Sequence, residues 1–332
     1  MSLVAGSYER FIWGFKLKTL KHSTETLTLS PIFSFPSHLS PIKCVAVAGT
    51  VAASGGSDDT IKIYDLSTSS EVGSLNNPTA TVTSLSFFTP PSLSSFPRSM
   101  FSSYDDGNIS LYDADPFVHL KTLKMHKKGV NDMSVHPSGK LALTVGRDSC
   151  LAVVNLVRGR RSFHHRMEKE ASVVKFDCSG DKFFMGTDDK ISVHEAEDAK
   201  LIVELESKKK VLCIAPGMNG LLYTGGEDKN LTAWDTVSGK VAYCIEDAHS
   251  ARLKGIVVLS KIDGTSDDEP FLVASASSDG IIRVWDVRMA NKEKTNPLAE
   301  ANTKSRLTCL AGSSVKSMKR KEQQQKGKEQ QQ

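Results

Sequence analysis

The 332-residue sequence lacks an uninterrupted run of about 18 apolar residues, so it predicts no membrane-spanning helix. Its start, MSLVAGSYER, lacks the basic and apolar regions of a secretory signal, and we expect no secretion. The six cysteines lie at least 28 residues apart, which predicts free thiols and argues against zinc or disulfide frameworks. The phosphate-binding patterns GxxxxGKS/T and GxGxxG are also missing. We therefore expect no cofactor, no membrane contact and no small-molecule substrate.

The charge of the chain is concentrated at its C-terminal end. Residues 313–332 carry six basic and two acidic groups, which leaves residues 1–312 with 36 of each sign. The segment has no apolar periodicity and ends in KEQQQKGKEQQQ, which predicts a disordered basic tail. It could act as a nuclear import signal or as an RNA-contacting arm, and we favour import. The candidate import residues are Lys316, Lys319, Arg320 and Lys321.

One short pattern recurs six times: two small residues, one or two acids, an alternating strand, then a position that is often aromatic and followed by an acid. Examples are SGGSDDTIKIYDL from residue 54 and SASSDGIIRVWDV from residue 275. The turn aspartates are spaced by 48, 42, 40, 40 and 51 residues, near the roughly 40–45 residues of a four-stranded propeller blade. They are Asp58, Asp106, Asp148, Asp188, Asp228 and Asp279.

Each repeat is predicted to be a β-hairpin with an acidic turn, preceded by a further apolar strand. Alternation such as Ile61 and Ile63 puts one set of side chains into a core. A four-stranded sheet cannot bury both faces alone, so neighbouring blades must stack into a ring. Insertions at residues 89–99 and 261–270 interrupt the period, and their Pro, Ser and acidic residues predict surface loops.

The two ends of the chain offer the halves of a seventh blade. Residues 5–17 align with the repeat, with Tyr8 at the Asp position and Gly14 at the aromatic position. Residues 306–311 look like the first strand of a blade, and pairing them with the N-terminal strands removes two open sheet edges. The sequence therefore predicts an all-β fold. It is a seven-bladed propeller over residues 1–312, closed by its N- and C-terminal strands, with a disordered tail over residues 313–332.

The repeats resemble the WD-repeat family over residues 3–312, most clearly in the spacing of Asp228 to Trp234 and of Asp279 to Trp285. In that family a His, a Ser or Thr, the turn Asp and a Trp form a structural tetrad. In blade four, Phe184 and His194 occupy the Ser and Trp positions, which puts its tetrad in doubt. The resemblance implies tetrads, some incomplete, at His38, Ser54, Asp58 and Tyr64 (blade one), His126, Thr144 and Asp148 (blade three, where Val154 replaces the Trp), Thr224, Asp228 and Trp234 (blade five), and His249, Ser275, Asp279 and Trp285 (blade six).

Two arrangements of histidine suggest chemistry. His249, Ser275 and Asp279 include the residue types of a hydrolase triad. The same types recur in register in two other blades, which a structural network predicts and a single active site does not. His164 and His165 could bind a metal, but adjacent residues of a strand point to opposite sides. We therefore expect no catalysis and no metal site.

Two further patterns suggest contacts with partners. The WDxR sequence at residues 285–288 resembles that of substrate receptors of cullin-type ubiquitin ligases, in which the Arg, here Arg288, faces the adaptor. We favour the alternative, an ordinary residue after a WD dipeptide. A basic cluster in the third repeat could bind RNA phosphates, or could be a solvated turn balanced by Glu168 and Glu170. The cluster comprises Arg158, Arg160, Arg161, His164, His165 and Arg166.

The segments LVAGSYERFIWGF (3–15) and NLVRGRRSF (155–163), together with the degenerate fourth blade, resemble the p21-activated-kinase-interacting protein family. The resemblance implies a non-catalytic factor of the nucleus and nucleolus that acts in maturation of the large ribosomal subunit. The implied partners are ribosomal proteins and assembly factors of the subunit precursor, with ribosomal RNA as a further candidate. The alternatives are a negative regulator of p21-activated kinase signalling, which would bind such a kinase, and a ubiquitin-ligase substrate receptor.

Overall fold

The fold consists almost entirely of short β-strands. The computed structural model of the chain describes residues 1–22, 24–75, 80–90, 96–259, 272–289 and 295–313. Within these ranges there are 28 strands and one 3-10 helix, Val287–Met289. In chain order the strands are β1 (Ser2–Ser7), β2 (Phe11–His22), β3 (Thr24–Pro36), β4 (Ile42–Ala48), β5 (Val51–Gly56), β6 (Ile61–Asp65), β7 (Ser70–Leu75), β8 (Val82–Phe88), β9 (Ser99–Tyr104), β10 (Asn108–Asp113), β11 (Val118–Lys124), β12 (Val130–Val135), β13 (Leu141–Gly146), β14 (Cys150–Asn155), β15 (Arg160–Arg166), β16 (Val173–Phe176), β17 (Lys182–Thr187), β18 (Lys190–Glu195), β19 (Leu201–Glu206), β20 (Val211–Pro216), β21 (Leu221–Gly226), β22 (Leu231–Asp235), β23 (Lys240–Ile245), β24 (Leu253–Leu259), β25 (Leu272–Ser277), β26 (Ile281–Asp286), β27 (Ala299–Asn302) and β28 (Leu307–Ser313).

In the described part of the chain the strands form seven antiparallel sheets of four strands each. Blades one to six are the successive quartets from β4–β7 to β24–β27, and blade seven has the order β28-β1-β2-β3. The first strand of each blade contacts the first strand of the next, from β4 through β24 and β28 back to β4. The prediction of an all-β, seven-bladed propeller is therefore confirmed.

The ring is closed by a strand from each end of the chain. β28 pairs antiparallel with β1, and Leu3 lies opposite Gly312 while Ala5 lies opposite Leu310. The backbone N–H of Tyr8 also donates to the Arg306 carbonyl at 2.8 Å. The predicted closure is thus confirmed. The predicted disordered tail lies outside the described residues, apart from Ser313.

Burial follows the position of a strand within its blade. The second strands of blades one, six and seven are buried at every position, whereas β15, the outermost strand of blade three, is exposed at every position. Both faces of a sheet pack against neighbouring blades, so the apolar clusters lie between blades. Phe101 of blade two, for example, shares a cluster with Met133 and Val154 of blade three. Nothing helical in the described ranges is long and apolar enough to cross a bilayer.

The register of blade seven corrects two sequence assignments. In blade one, Gly55 pairs with Ile61, and the turn Asp and the aromatic residue lie three positions before and after that Ile. The equivalent pair in blade seven is Gly6 and Ile12. Glu9, not Tyr8, therefore occupies the Asp position. By the same count, Phe15, not Gly14, occupies the aromatic position, and the β-bulge that precedes the aromatic residue in other blades lies between Gly14 and Phe15.

Blade four contains one further misassignment. Gly186 pairs with Ile191, so this hairpin connection has one residue fewer than the connection between Gly55 and Ile61 of blade one. The residue at the Ser position is consequently Met185, which pairs with Ser192, and the prediction of Phe184 at this position was wrong. In blade one the Ser lies four residues before the turn Asp. The same count fails in blade four, because the shorter turn shifts the register of β17 by one residue and so exchanges the residues on its two faces.

The two predicted insertions are only partly described. Of the first, Ser99 begins β9, and the Arg98 N–H donates to the Phe88 carbonyl at 2.9 Å. Phe96 makes an edge contact with Phe117. Residues 91–95 and the whole insertion at 261–270 lie outside the described residues, so the surface-loop prediction stays a prediction.

Candidate functional site

Blade one holds a buried polar network around a histidine. His38 Nε2 lies 2.7 Å from Ser54 Oγ, and His38 Nδ1 lies 2.9 Å from Asp58 Oδ1. Ser54 Oγ also lies 2.9 Å from the Tyr64 hydroxyl. The structure thus brings together all four residues named for this blade. Gly56 leaves room for the imidazole, because a Cβ there would lie 2.5 Å from His38 Nδ1.

Blade six contains the same arrangement with a tryptophan. His249 Nε2 lies 2.8 Å from Ser275 Oγ and Nδ1 lies 3.2 Å from Asp279 Oδ2. Trp285 Nε1 donates to Ser275 Oγ at 2.8 Å. Asp279 also accepts the backbone N–H of Ser250 at 3.1 Å. The network therefore connects the loop before β24 to strands β25 and β26 and to the turn between them.

Blade three keeps three polar members. His126 lies 3.0 Å from Thr144 Oγ1 through Nε2 and 2.9 Å from Asp148 Oδ1 through Nδ1. Asp148 accepts the backbone N–H of Lys127 at 2.9 Å. The fourth position, Val154, is buried and apolar, so this network ends at the threonine.

The remaining blades use other solutions. In blade five, Trp234 Nε1 donates to Thr224 Oγ1 at 2.8 Å, but the loop before β20 has no histidine for Asp228. In blade seven, Glu9 accepts the backbone N–H of Arg306 at 2.8 Å. The donor lies one residue before β28, whereas the Ser250 N–H that Asp279 accepts in blade six lies three residues before β24. Glu9 was not identified from the sequence. The signal that could have found it is a carboxylate three residues before Ile12, just as Asp58 lies three residues before Ile61.

Blade two contains a hydroxyl network that sequence reasoning missed. Tyr104 is hydrogen-bonded to Ser102, and its hydroxyl lies 3.0 Å from that of Tyr112. Tyr104 occupies the position of Gly56 in blade one, since each pairs with the first residue of its inner strand. The phenol therefore takes the space of the histidine. The sequence does contain a signal for this network. Tyr104 replaces the small residue that blade one has two positions before its turn Asp.

The turn carboxylates fall into two electrostatic classes. Burial alone would raise the pKa of Asp58, Asp148 and Asp279, but hydrogen bonds from histidine and backbone N–H groups outweigh it and hold each pKa below the usual range. The pKa of Asp228 is raised by burial, because its bonds do not compensate. Burial also lowers the pKa of His38 and His126, against the raising effect of their aspartates.

The serine of the His–Ser–Asp arrangement in blades one and six is buried. Ser54 and Ser275 have no solvent exposure. Each hydroxyl is bonded to an imidazole on one side and to an aromatic side chain on the other. The arrangement is thus suited to tying a loop to its blade, since each buried polar group has a partner.

The predicted basic cluster is divided between the two sides of β15. Arg161, His164 and Arg166 lie opposite β14 residues that face blade two or end the strand on that side. Phe163 and His165 lie opposite residues that face blade four. Arg161 donates to the Met125 carbonyl at 3.0 Å. Arg160 lies at the far end of the same exposed strand, and Arg158, whose N–H donates to Asn155 Oδ1, lies in the turn before it.

His164 and Arg166 join residues that sequence reasoning did not connect with them. They line an open cavity of about 420 Å³ with Lys127, Lys128 and Arg147. Asp148, Cys150 and His164 have potential metal-ligand atoms within 4.8 Å of one another. The Asp148 carboxylate is already bound by His126 and the Lys127 N–H, and burial raises the pKa of the Cys150 thiol. Four cationic side chains and one carboxylate line the cavity, which favours an anion over a divalent cation.

Arg288 is bonded to the WD dipeptide that precedes it. Its Nε and Nη2 donate to the two carboxylate oxygens of Asp286 at 3.0 and 2.7 Å. The guanidinium is thus held beside its own strand, and an adaptor contact stays a prediction. The candidate import residues Lys316, Lys319, Arg320 and Lys321 lie outside the described residues.

The chain matches the family described as WD domain, G-beta repeat over residues 29–65, 117–155 and 247–286, which contain the three histidine networks. It is 32% identical over 310 residues to the p21-activated protein kinase-interacting protein 1-like of Danio rerio, with 93% of this chain and 80% of that protein covered. Identity to the p21-activated protein kinase-interacting protein 1 of Homo sapiens is 31% over 313 residues, or 93% and 76% of the two chains. Protein MAK11 of Saccharomyces cerevisiae is 28% identical over 227 residues, or 63% and 55%.

The similarities to the Danio rerio and Homo sapiens proteins each cover 93% of this chain. The recognition made from the sequence is therefore confirmed. The chain belongs to the p21-activated-kinase-interacting family of WD-repeat proteins.

Proposed function

We propose that this protein is a non-catalytic scaffold in maturation of the large ribosomal subunit precursor in the nucleolus. It binds ribosomal proteins and assembly factors through its loops and outer strands. The observation that carries the proposal is the separation of polar groups in the ring. The His–Ser and His–Thr pairs are buried and bonded within their blades, whereas the charged groups of β15 and of the loops are exposed. Such a molecule offers surfaces to partners and no solvent-open reacting group among the residues of these networks.

The ribosomal part of the proposal is supported by the family resemblance. Residues 3–15 form β1 and the start of β2 in the closing blade, and residues 155–163 form the turn into β15. Both segments depart from the generic repeat, and both reach the surface. In the family that they resemble, such proteins act in the nucleolus on the large-subunit precursor. A basic C-terminal segment that serves nuclear import would fit the same location.

Sedimentation tests this function. The tagged full-length protein should co-sediment with large-subunit precursors in a sucrose gradient of nuclear extract, and its depletion should cause precursor ribosomal RNA to accumulate. Recovery of the protein only in light fractions, with unchanged precursor RNA, would overturn the proposal. Deletion of residues 316–332 tests import separately, because it should reduce nuclear accumulation without unfolding the ring.

Regulation of a p21-activated kinase is the second candidate, because the relatives from Danio rerio and Homo sapiens are named for interaction with such a kinase. In this case the purified chain should bind the regulatory domain of the kinase directly and lower its activity. Binding without any association with ribosomal precursors would favour this role over the first. No binding at micromolar concentrations would remove it.

A further inference from the structure

The cavity beside β15 combines cations from three separate parts of the chain. Lys127 and Lys128 come from the loop before β12, Arg147 from the turn after β13, and His164 and Arg166 from β15. The five side chains belong to exposed residues. Because the propeller packs the loop, the turn and the outer strand side by side, positive charge collects around one open space of about 420 Å³.

The negative charges near this cavity are already bonded. Asp148 is bound by His126 and by the Lys127 backbone N–H. Asp105 forms an ion pair with Arg147 at 2.7 Å. An incoming anion would therefore meet Lys127, Lys128 and Arg166 as its main electrostatic partners, with His164 beside them.

An exposed aromatic pair lies on the other side of the same strand. Phe163 and His165 are stacked with ring centroids 6.2 Å apart and an interplanar angle of 11°, and Phe163 is 49% exposed. Exposed aromatic rings next to a basic groove are characteristic of surfaces that bind single-stranded nucleic acid, because bases stack on the rings while cations hold the phosphates. A phosphorylated peptide would use the cations and leave these rings without a role.

We propose that the blade-three cavity binds the phosphodiester backbone of single-stranded RNA, and that unpaired bases stack on Phe163 and His165 across the edge of β15. This inference rests on the proposed function, since it assigns the RNA contact of a ribosomal assembly factor to a defined surface. It also revises the basic cluster seen in the sequence. Arg158 in the preceding turn and Arg160 at the far end of β15 do not line the cavity, and Lys127 and Lys128 from the loop before β12 line it instead.

The test measures binding of a fluorescent uridine oligonucleotide of about 15 residues to the purified full-length protein. The double variant Lys128→Gln/Arg166→Gln should lose about tenfold in affinity. The slope of log affinity against log salt concentration should also become less negative by about 0.7 for each phosphate contact removed. Phe163→Ala should weaken binding with an unchanged salt slope, because it removes stacking and no charge.

A matched control comes from the equivalent loop before β20. Lys208→Gln/Lys210→Gln removes the same charge, but these lysines are ion-paired with Glu246 and Asp188, so RNA affinity should change less than threefold. Equal losses of RNA affinity in both double variants would show that binding depends on overall charge and not on this site, and would overturn the proposal. Unchanged RNA binding in Lys128→Gln/Arg166→Gln, or loss of binding only to a phosphoserine peptide of similar charge, would also overturn it.

The same variants separate this inference from the proposed function. If the wild type and Lys128→Gln/Arg166→Gln co-sediment equally with precursors and bind RNA equally, the RNA site is wrong while the scaffold role stands. If the wild type binds the oligonucleotide through this site but never associates with precursors, the site stands and the ribosomal role fails.

Discussion

Blades five and six are neighbours, and both end their third strand in Trp-Asp, yet they treat the turn aspartate differently. In blade six, Asp279 accepts bonds from His249, from the backbone N–H and hydroxyl of Ser250, and from the N–H of Ile281. In blade five, the N–H of Asn230 reaches Asp228 only at 3.4 Å. The pKa of Asp279 lies well below its usual range, because these bonds outweigh burial, and burial raises that of Asp228.

The difference shows which members of the tetrad set the pKa of the turn aspartate. The bond from Trp Nε1 to the Ser or Thr hydroxyl is 2.8 Å in both blades, so it does not need the histidine. The histidine, together with the backbone N–H groups of Ser250 and Ile281, compensates the buried carboxylate of Asp279. Without the histidine, an open space of about 290 Å³ lies beside Asp228 and Trp234.

The largest difference in stability should appear when each of the two carboxylates is removed in a separate variant. Asp279→Ala should lower the free energy of unfolding by about 2 kcal/mol, because it leaves the His249 ring and the backbone N–H groups without an acceptor. Asp228→Ala should cost less than about 1 kcal/mol, because the carboxylate has weak bonds to lose. Urea titration of both variants checks this. A loss for Asp228→Ala as large as that for Asp279→Ala would contradict the comparison.

An opposite dependence on pH should distinguish the two aspartates. The pKa of Asp279 is lowered by folding, so its stabilisation is fully present above the unfolded value of about 3.9 and is lost progressively as the pH falls from that value through the lower folded pKa. The pKa of Asp228 is raised, so its ionised form is a cost at neutral pH that disappears as the pH falls through the raised pKa towards that value.

The measurement compares Asp279→Asn and Asp228→Asn with the wild type in urea titrations from about pH 7 to pH 3. Asp279→Asn should be less stable than the wild type at neutral pH and should approach it on acidification. Asp228→Asn should be as stable as the wild type or more stable at neutral pH, and this advantage should vanish in acid. If the stability of both variants relative to the wild type changed with pH in the same direction, the histidine would not determine the sign of the pKa shift of the turn aspartate.

The smallest effect should come from giving blade five the missing histidine. In blades one, three and six the histidine lies four residues before the start of the inner strand, and in blade five this position is Ser207, four residues before Val211. Ser207→His should add about 0.5–1.5 kcal/mol by bonding Thr224 and Asp228. It should also reverse the pH dependence contributed by Asp228. The control is Ser207→His with Thr224→Val, which lacks the hydroxyl and should gain less.

The repeating unit could be predicted from the sequence because its signals are local. The turn acid, the alternating strand after it and the Ser or Thr before it lie within about a dozen residues, so their spacing survives along the chain. Where the spacing changed, the prediction failed. Phe184 was assigned in place of Met185 because the turn of blade four is one residue shorter. Tyr8 was assigned in place of Glu9 because residues 5–17 were aligned one position off.

The RNA candidate could be predicted only in part. Arg166 and His164 stand out in the sequence, but Lys127 and Lys128 come some forty residues earlier and are an unremarkable pair in a loop. Only the packing of that loop against β15 joins them into one cavity. Because side chains alternate along β15, Phe163 and His165 lie on the opposite side from His164. A count of charges in the sequence does not show this division.

By itself, the sequence determined the number of blades, the turn acids and the polar groups available to each blade, because hairpins and turns are specified by residues close in the chain. The tertiary structure alone decided the strand register, the face on which each side chain lies and the groups that meet across blades. These depend on the packing of sheets against one another and on the pairing of β28 with β1 across the whole length of the chain. Contacts of this kind leave no fixed spacing in the sequence.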